Sequence, residues 1–450
     1  MSDQTVVGFV SLGCAKNLVD SEVMLAHLAE AGCAVTAELA DADVIVVNTC
    51  GFLAAARDEA LDAINQAVQF RQTGRCRRVV VVGCLVQRDG EQLRQAVPGV
   101  DALLGVNQRE QLVQAVLDTD PQPEPAANDR VCVPMPADTA RLRLTPRNYA
   151  YLRIGEGCDQ RCTFCTIPAI RGPMRSKPLQ VVLDEARELI ADGAVELDLI
   201  AQDTTAYGRD VGYQPGTAGL LRQLNDLKGV AWIRLMYAYP RLFDDALVDA
   251  LVECERVVNY VDLPLQHIND RILRQMGRRV TRRDIEDLLA TLRERMPDIA
   301  LRTTLIAGFP GETDADFQEV LDFVRDVRFD ALGVFTYSRE PETPAARLPD
   351  HMPETVKQDR LDALMQTQQT IAFAKADAMI GRRMDLLVER PDFHGNLIAR
   401  HAGQAPEVDS VVRLVDPPDP PGPFLHAECF AREGYDLIAR PTQGMLNPRT

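Results

Sequence analysis

The spacing of hydrophobic and polar positions changes along the chain, and the first stretch predicts an α/β layer. From about residue 5 to 118, short apolar runs such as VVGFV and VIVV alternate with longer stretches of helical spacing. That alternation is typical of parallel strands joined by helices. The run RRVVVVGCLV predicts the third strand, and QRDGEQLRQAV predicts the helix after it.

A second alternating stretch, from about Tyr149 to Ser338, contains six predicted strands. They are Tyr149–Ile154, Glu196–Ala201, Trp232–Met236, Val258–Leu263, Leu301–Ile306 and Leu332–Thr336. Six βα units are too few for the closed eight-stranded barrel. We therefore predict an open, partial barrel whose wide mouth would admit a macromolecule.

Two further segments complete the predicted organisation. Between the alternating stretches, DPQPEPAANDR is rich in proline and charge and lacks helical periodicity, which predicts a linker. Beyond about Gly381, five short alternating runs separated by turn residues predict a small all-β barrel. The predicted domains are residues 4–119 (open parallel-sheet α/β), 120–143 (linker), 144–380 (partial barrel) and 381–450 (β-barrel).

Length and composition set the broad class. The 450 residues are enough for two to four domains, and 46% hydrophobic content is ample for packed cores. No apolar run approaches the ~18 residues of a membrane span. The start MSDQTVVGF has no basic segment, so we expect no signal peptide. Eleven cysteines without export signals indicate reduced thiols and metal ligation in the cytoplasm.

The net charge of −17 bears on the partner. An acidic chain does not attract phosphate backbones through its overall field, but it suits a basic partner. Solubility explains the charge equally well.

Three cysteines lie within eight residues, in the segment CDQRCTFC that follows the first barrel strand. Cys158, Cys162 and Cys165 are thus placed at the carboxyl-end face, where barrel enzymes carry their chemistry. Structural zinc takes four ligands, and no fourth Cys or His is nearby in the sequence. A cube of four irons held by three thiolates leaves one iron open for a substrate or cofactor. The spacing therefore favours an iron–sulfur cluster.

A second set of thiols is predicted in the N-terminal stretch. Cys14, Cys50 and Cys84 each lie near the carboxyl end of a predicted strand and the start of a helix. Because these ends face one edge of a parallel sheet, the three thiols should converge there. We also expect the helix N-termini to lower the thiol pKa values. Five other cysteines are better interpreted as small buried hydrophobes, namely Cys33, Cys76, Cys132, Cys254 and Cys429.

The segment CDQRCTFC resembles the CxxxCxxC motif of radical S-adenosylmethionine (radical SAM) enzymes, and the whole chain resembles their methylthiotransferase family. Members of that family have an N-terminal domain with three cluster cysteines, a partial barrel and a C-terminal TRAM β-barrel. The resemblance implies two 4Fe–4S clusters, one on each cysteine trio. It also implies that SAM binds the open iron of the Cys158, Cys162 and Cys165 cluster.

Three strand-end stretches are similar to family segments that line the cofactor pocket. They are IAQDTTAYG, DLPLQHIND and TLIAGFPGET. The similarity implies that six residues bind the cofactor, namely Gln202, Asp203, Gln266, His267, Gly308 and Gly311. Ordinary roles remain open for these residues, since a glycine after a strand is usually a turn residue.

Within the family, SLGCAKNLVDSE and NTCGFLAAARDEA are similar to the branch that modifies a ribosomal protein. That branch adds a methylthio group to the β-carbon of an aspartate in small-subunit ribosomal protein S-twelve, giving 3-methylthioaspartate. The resemblance implies that one cluster reduces SAM to methionine and a deoxyadenosyl radical, which removes hydrogen from the substrate carbon. The other cluster would hold or donate sulfur, and a second SAM would supply the methyl group. An electron donor such as a flavodoxin or ferredoxin is implied as well.

The charge of the C-terminal domain supports a protein substrate. Residues 381–450 contain eight Arg, no Lys and ten acidic residues, a net charge of −2. A barrel that held RNA would present basic residues to phosphates, so this domain argues against direct RNA binding. It suits a basic ribosomal protein or the small ribosomal subunit.

Two alternatives stay open at the level of sequence. One is a tRNA (adenosine) methylthiotransferase that uses the same clusters. The other is a non-catalytic iron–sulfur protein that docks on ribosomes through its β-barrel.

Overall fold

The computed structural model describes residues 4–117, 135–392, 395–418 and 421–445. These residues form two compact units. The first holds the described residues up to Leu144 together with residues 156–160 and 165–175, and the second holds the others. Most of the predicted linker, including Cys132, lies outside the described residues.

The first unit contains an open sheet of five parallel strands in the order β2-β1-β3-β4-β5. The strands are β1 (Val6–Ser11), β2 (Ala34–Thr36), β3 (Val44–Thr49), β4 (Arg78–Gly83) and β5 (Ala102–Leu104). The helices are α1 (Ala15–Glu30), α2 (Ala54–Thr73), α3 (Cys84–Ala96), α4 (Leu112–Leu117) and the short α5 (Ile167–Ile170). The predicted open α/β sheet is confirmed; only the three-residue β2 was not anticipated.

Helices cover both faces of this sheet, which explains the unbroken apolar runs of its central strands. Ile45 and Val47 of β3 pack into a core that includes α2, whereas Val44 and Val46 pack with α1 on the other face. Alternate residues of one strand thus fill two different cores.

The strand predicted from RRVVVVGCLV, which is β4 in the structure, is shorter than predicted. It ends at Gly83, and α3 begins directly at Cys84. Gly83 has a φ of +99°, and a Cβ there would lie 2.5 Å from Asn48 Oδ1. This turn makes Leu85 and Val86 the first buried turn of a helix. A short apolar run cannot distinguish a buried strand from a buried helical turn, which is why the strand was predicted too long.

The second unit is built on six parallel strands in the order β13-β12-β11-β10-β9-β6. These strands are β6 (Tyr149–Arg153), β9 (Glu196–Ile200), β10 (Trp232–Leu235), β11 (Val257–Gln266), β12 (Ala300–Ala307) and β13 (Ala331–Thr336). The two-residue strands β7 (Gly155–Glu156) and β8 (Arg175–Ser176) come between β6 and β9 in the chain. All six predicted strands are present, and the predicted partial barrel is confirmed.

Seven helices of the second unit connect or follow these strands in the part of the chain that the structure describes. They are α6 (Leu179–Ala191), α7 (Gly216–Asn225), α8 (Asp245–Glu253), α9 (Asp270–Gln275), α10 (Arg282–Arg295), α11 (Asp314–Val327) and α12 (Glu354–Asp377). Their apolar residues and the sheet form one large core.

The C-terminal strands form the predicted small barrel, closed in the order β14-β15-β16-β18-β17. They are β14 (Arg383–Pro391), β15 (Leu397–Arg400), β16 (Val412–Leu414), β17 (Phe424–Glu433) and β18 (Asp436–Met445). Ten buried residues, nearly all apolar, including Leu386 and Val412, fill its interior.

The loop between β15 and β16, residues 401–411, packs against the amino-terminal ends of the partial-barrel strands and is called the floor loop below. Arg234 of β10 donates to the carbonyl oxygen of Ala402 at 2.8 Å. The Tyr260 hydroxyl donates to Asp409 at 2.8 Å, and Arg302 donates to the same carboxylate at 3.2 Å. The small β-barrel is therefore fixed to the core of this unit through buried polar contacts.

No helix among the described residues is both long enough and apolar enough to cross a membrane.

Candidate cluster sites and cofactor pocket

The three N-terminal cysteines lie at one edge of the five-stranded sheet. Cys14 is the N-cap of α1 after β1, Cys50 follows β3, and Cys84 begins α3 after β4. The strands β1, β3 and β4 are neighbours, so the three loops emerge side by side. The thiols are close enough that negative charge on Cys14 raises the pKa values of Cys50 and Cys84.

The buried side-chain amide of Asn17 links these three loops. Asn17 donates through Nδ2 to the carbonyl oxygens of Leu12 (2.8 Å) and Thr49 (3.0 Å), which end β1 and β3. Its Oδ1 lies 3.8 Å from Cys84 Sγ. Asn48 supports it from β3 by donating to the Asn17 carbonyl oxygen at 3.0 Å. One side chain thus connects all three cysteine loops.

The charges around the three thiols differ, and the predicted lowering of their pKa values holds only for Cys14. Desolvation raises the pKa of the Cys14 thiol, but Lys16, Arg171 and two backbone amides outweigh it and lower the pKa. Burial raises the pKa of Cys50 and that of Cys84, the latter to about 12. The prediction was wrong for these two because desolvation at the sheet edge exceeds the effect of the helix N-termini.

Two glycines allow the cysteine loops to pack closely against one another. Gly13 has a φ of +97°, and a Cβ there would lie 2.8 Å from Cys50 Cβ and 3.4 Å from Cys50 Sγ. Gly51 approaches the backbone of Leu85, where a Cβ would lie 2.8 Å from Cα. Three thiols converging at one sheet edge fit a 4Fe–4S cluster, which is held by Cys thiolates.

Two cysteines of the CxxxCxxC segment belong to the first unit, and backbone amides donate to both sulfurs. The Gln160 amide lies 3.4 Å from Cys158 Sγ, and the Ile167 amide lies 3.4 Å from Cys165 Sγ. Gly157, with a φ of +78°, allows the Cys158 loop to approach the Pro173 carbonyl. Amide hydrogen bonds to sulfur stabilise thiolate ligands and tune cluster potentials, so both residues suit iron ligation.

The third cysteine, Cys162, belongs to the second unit, where its segment is anchored by hydrogen bonds of Thr163. Thr163 donates to the carbonyl oxygens of Met276 (2.9 Å) and Gln275 (2.8 Å). Arg278 Nη1 lies 3.9 Å from Cys162 Sγ, and its guanidinium stacks on the Tyr239 ring at 4.2 Å. A cation is thus fixed beside the sulfur.

No group of three or more His, Cys, Asp or Glu side chains within the described ranges has the spacing that binds a single metal ion. A cube of four irons distributes its thiolates over separate corners, so it does not require that spacing. The assignment of Cys14, Cys50, Cys84, Cys158, Cys162 and Cys165 as cluster ligands stays a prediction.

Four of the six predicted cofactor residues lie at the carboxyl ends of β9 and β11. Gln202 and Asp203 follow β9, and buried Asp203 accepts a hydrogen bond from the Thr205 hydroxyl at 2.6 Å. Gln266 ends β11 with a φ of +73°, a conformation that is uncommon for residues other than glycine. Buried His267 follows, and its Nδ1 accepts the Asn269 amide at 3.0 Å. Because the strands are parallel, these residues share one edge of the sheet.

The two predicted glycines lie in the loop after β12, which Glu312 organises. The buried Glu312 carboxylate accepts the amides of Gly308 (3.1 Å) and Phe309 (3.4 Å) and pairs with Arg360 at 2.5 Å. His267 Nε2 lies 3.5 Å from the same carboxylate. Gly308 and Gly311 both have positive φ values, and Gly311 is open to its surroundings. His267 therefore lies beside this loop, and its cofactor role stays a prediction.

Sequence reasoning did not anticipate several polar residues of these sites. Arg171 contacts Cys84, Arg278 contacts Cys162, and Glu312 orders the glycine loop. Glu312 stands in the quoted stretch TLIAGFPGET, whereas Arg171 and Arg278 lie outside the quoted motifs. Glu312 could have been identified from its place beside the two glycines of that stretch, whereas the sequence carries no signal for the contacts of Arg171 and Arg278.

Three family models match the chain. The N-terminal residues 6–105 match the uncharacterized protein family UPF0004, residues 152–324 match the radical SAM superfamily, and residues 380–441 match the TRAM domain.

Curated relatives match over nearly the full length. The chain is 47% identical to the ribosomal protein uS12 methylthiotransferase RimO of Anaeromyxobacter sp. (strain K), over 96% of this chain and 92% of the relative. It is 43% identical to the protein of the same name from Geobacter sulfurreducens, over 96% of this chain and 97% of the relative.

Among solved structures, the chain is similar to the radical S-adenosylmethionine methyltransferase TsrM from Kitasatospora setae, with a TM-score of 0.55 and 17% identity. The match covers 76% of this chain and 75% of that one. At this identity the likeness concerns the fold alone.

Proposed function

Because the chain belongs to the RimO family of ribosomal protein uS12 methylthiotransferases, we propose that it adds a methylthio group to the β-carbon of an aspartate of uS12. The names uS12 and ribosomal protein S-twelve denote the same protein. The enzyme is a radical SAM methylthiotransferase that uses SAM and two 4Fe–4S clusters. The product is 3-methylthioaspartate.

The observation that carries this proposal is the convergence of Cys14, Cys50 and Cys84 at one sheet edge. An enzyme that only cleaved SAM would need one cluster, on Cys158, Cys162 and Cys165. A second trio with amide and guanidinium donors supports a second cluster, as sulfur insertion requires.

The reaction needs a radical because the substrate carbon carries neither a leaving group nor a readily removed proton, and cofactors supply such chemistry. The bound clusters and SAM would supply the electron, the radical, the sulfur and the methyl group. The chain's own residues hold and orient them. Thr163 fixes the Cys162 segment, Asn17 links the N-terminal loops, and Glu312 orders the glycine loop after β12.

The charge of the chain is consistent with a protein substrate. Its net charge of −17 favours a basic ribosomal protein over the phosphates of tRNA. The relatives described above are named for uS12, which does not favour the tRNA alternative. A flavodoxin or ferredoxin is proposed as the electron donor.

Mass spectrometry of ribosomal proteins from cells with and without this chain tests the substrate. We expect uS12 to lose the mass of one methylthio group in cells that lack the chain, and fragmentation to place that group on an aspartate. The purified, iron-loaded chain with SAM and a chemical reductant should restore it. The variant Cys162→Ala is the matched control that should not.

Other outcomes are equally specific. Methylthio-adenosine in tRNA with unmodified uS12 would establish the tRNA enzyme instead. An iron-loaded chain that binds ribosomes but does not cleave SAM would establish the non-catalytic docking protein.

A further inference from the structure

We propose that Arg171 is a positioning residue of the N-terminal cluster site. It holds Cys84 in the fork of its guanidinium and adds a fixed positive charge there. The inference rests on the proposed function, because it takes Cys14, Cys50 and Cys84 as the ligands of a cluster. It goes further by assigning a role to a residue of the segment after Cys165.

The contacts of Arg171 lie entirely within the first unit. Nε and Nη2 approach Cys84 Sγ at 3.3 and 3.2 Å, and Nη2 also donates to Asn17 Oδ1 at 2.8 Å. Nη1 donates to Asp20 at 3.1 Å and to Glu156 at 3.0 Å. All three nitrogens of the guanidinium are therefore engaged.

A purely structural ion pair does not explain this arrangement. Nη1 alone satisfies both carboxylates, and Asp20 is already paired with Arg109 at 3.2 Å. The other two nitrogens enclose one sulfur, as a guanidinium fork encloses a carboxylate or phosphate. Arg171 is 4% exposed, so its charge would strongly stabilise an anionic sulfur beside two of its nitrogens. A cluster-bound thiolate at Cys84 would supply that anionic sulfur.

The position of Arg171 in the chain connects the two cysteine sets. It lies six residues after Cys165, directly after α5 (Ile167–Ile170). Helix α5 packs against α3, whose first residue is Cys84. The segment after Cys165, a predicted ligand of one cluster, therefore also positions Cys84, a predicted ligand of the other cluster.

The positive charge has a predictable electrical effect. A 4Fe–4S cluster gains one negative charge on reduction, and charge and hydrogen bonds at its sulfurs set its potential. A guanidinium in contact with one ligand sulfur stabilises the reduced form more than the oxidised form, and burial strengthens that interaction. Removing the charge should therefore lower the potential of the N-terminal cluster.

The test uses the full-length chain with Cys158, Cys162 and Cys165 replaced by Ala, so that only the N-terminal cluster is loaded. Iron per chain and an electron paramagnetic resonance redox titration are measured for Arg171→Gln in this background. We expect the reduction equilibrium constant to fall at least tenfold, which corresponds to about 59 mV for one electron. Arg175→Gln is the matched control, since Arg175 contacts Asn107 rather than a cysteine, and its potential should be unchanged.

A second variant covers the case in which Arg171→Gln does not fold. The double variant Arg171→Gln with Glu156→Gln removes one buried carboxylate together with its cation, and Glu156→Gln alone is its control. We expect the double variant to show the lowered potential or a loss of iron, and Glu156→Gln to show neither. A native iron content and a native potential in a folded variant without Arg171 would overturn the proposal.

The outcome is separate from that of the proposed function. If the native chain fails to modify uS12 but Arg171→Gln still lowers the potential, the function is wrong and the inference stands. If the native chain modifies uS12 and the potential does not change, the inference alone is wrong.

Discussion

At the scale of single residues, the N-terminal site depends on glycines as much as on cysteines. Gly13 precedes Cys14 in a left-handed conformation and lies against the Cys50 side chain. The absence of a Cβ at Gly13 therefore allows the Cys50 side chain to lie this close to the backbone. Gly32, at the end of α1, has a similar φ of +85° but faces open space.

Replacing Gly13 by Ala should remove iron from the N-terminal site while the fold persists. The added Cβ would meet Cys50 Cβ at 2.8 Å and displace that predicted ligand. We expect iron to fall from about eight to about four per chain, since each cluster holds four. Iron analysis after anaerobic reconstitution measures this change.

Gly32→Ala is the matched control for backbone strain. Both variants place Ala at a positive φ, which costs roughly 1 kcal/mol of stability. Only Gly13→Ala should lose iron. Equal iron in both variants would mean that Gly13 has no role in the thiol site.

At the scale of elements, helix starts determine how rigidly the loops at the strand ends are held. The loop with Gly308 and Gly311 enters α11 through a capping box. The Thr313 hydroxyl accepts the Asp316 amide at 3.2 Å, and the Asp316 carboxylate accepts the Thr313 amide at 2.7 Å. The cap thus fixes the end of the loop, and Glu312 fixes its beginning.

Thr313→Ala should weaken both the fold and SAM binding. Loss of an N-cap costs about 1 kcal/mol, and the freed loop would have to be ordered again when the cofactor binds. We expect a Kd for SAM several-fold higher, measured by equilibrium dialysis with the iron-loaded chain.

Thr281→Ala removes the equivalent capping box of α10 and serves as the control. Its loss of stability should be similar, because the cap geometry is the same. Its Kd for SAM should stay native. An equal change in Kd for the two variants would show that the effect is global rather than local to the glycine loop.

Strand and helix positions were largely predictable, because periodicity depends only on local sequence. The six strands of the partial barrel and the five of the small barrel were predicted, and so was the sheet edge shared by Cys14, Cys50 and Cys84. Cys33, Cys76, Cys254 and Cys429 are buried as expected. The start of α3 was missed because Gly83 makes a turn inside an apolar run.

Long-range polar contacts were not predictable from the sequence. Arg171 reaches Cys84 across 87 residues, and Arg400 reaches Glu196 across 204. A charged residue in the sequence gives no sign of which buried partner it will meet. The pKa of Cys84 was predicted in the wrong direction for the same reason, since burial depends on the assembled fold.

At the scale of the whole second unit, an ionic layer joins the partial barrel to the small β-barrel. Arg400 of β15 pairs with Glu196 of β9, which also accepts from Arg234 at 2.8 Å. Burial alone would raise the pKa of Glu196, but Arg400 and Arg234 outweigh it and lower the pKa. Burial and the charge of Glu196 raise the pKa of Asp198 well above its usual range. The buried arginines thus favour the charged form of Glu196, whereas burial disfavours the charged form of Asp198.

Arg400→Met should destabilise the second unit strongly. The substitution leaves Glu196 and Glu389 with one buried partner fewer, and breaking a buried pair typically costs about 3–5 kcal/mol. Adding Glu196→Gln should recover part of that loss, because the two residues are coupled. Denaturant unfolding is measured through Trp232, the single Trp, whose ring lies 5.0 Å from Phe424 of the small barrel.

Arg413→Met is the control on the same small barrel. Arg413 forms a partly exposed pair with Glu433, and such pairs contribute about 1 kcal/mol or less. Equal losses for Arg400→Met and Arg413→Met would mean that the buried layer does not stabilise the fold.

Arg400 and the floor loop restrict how this enzyme could have been assembled from separate domains. A foreign C-terminal barrel would have to supply an arginine at position 400 and an acid at position 409, or leave Glu196 and Tyr260 facing mismatched atoms. Exchange of this domain between relatives therefore requires matched changes on β9 and β11. We therefore expect the partial barrel and the small β-barrel to be inherited together, even though each has its own fold.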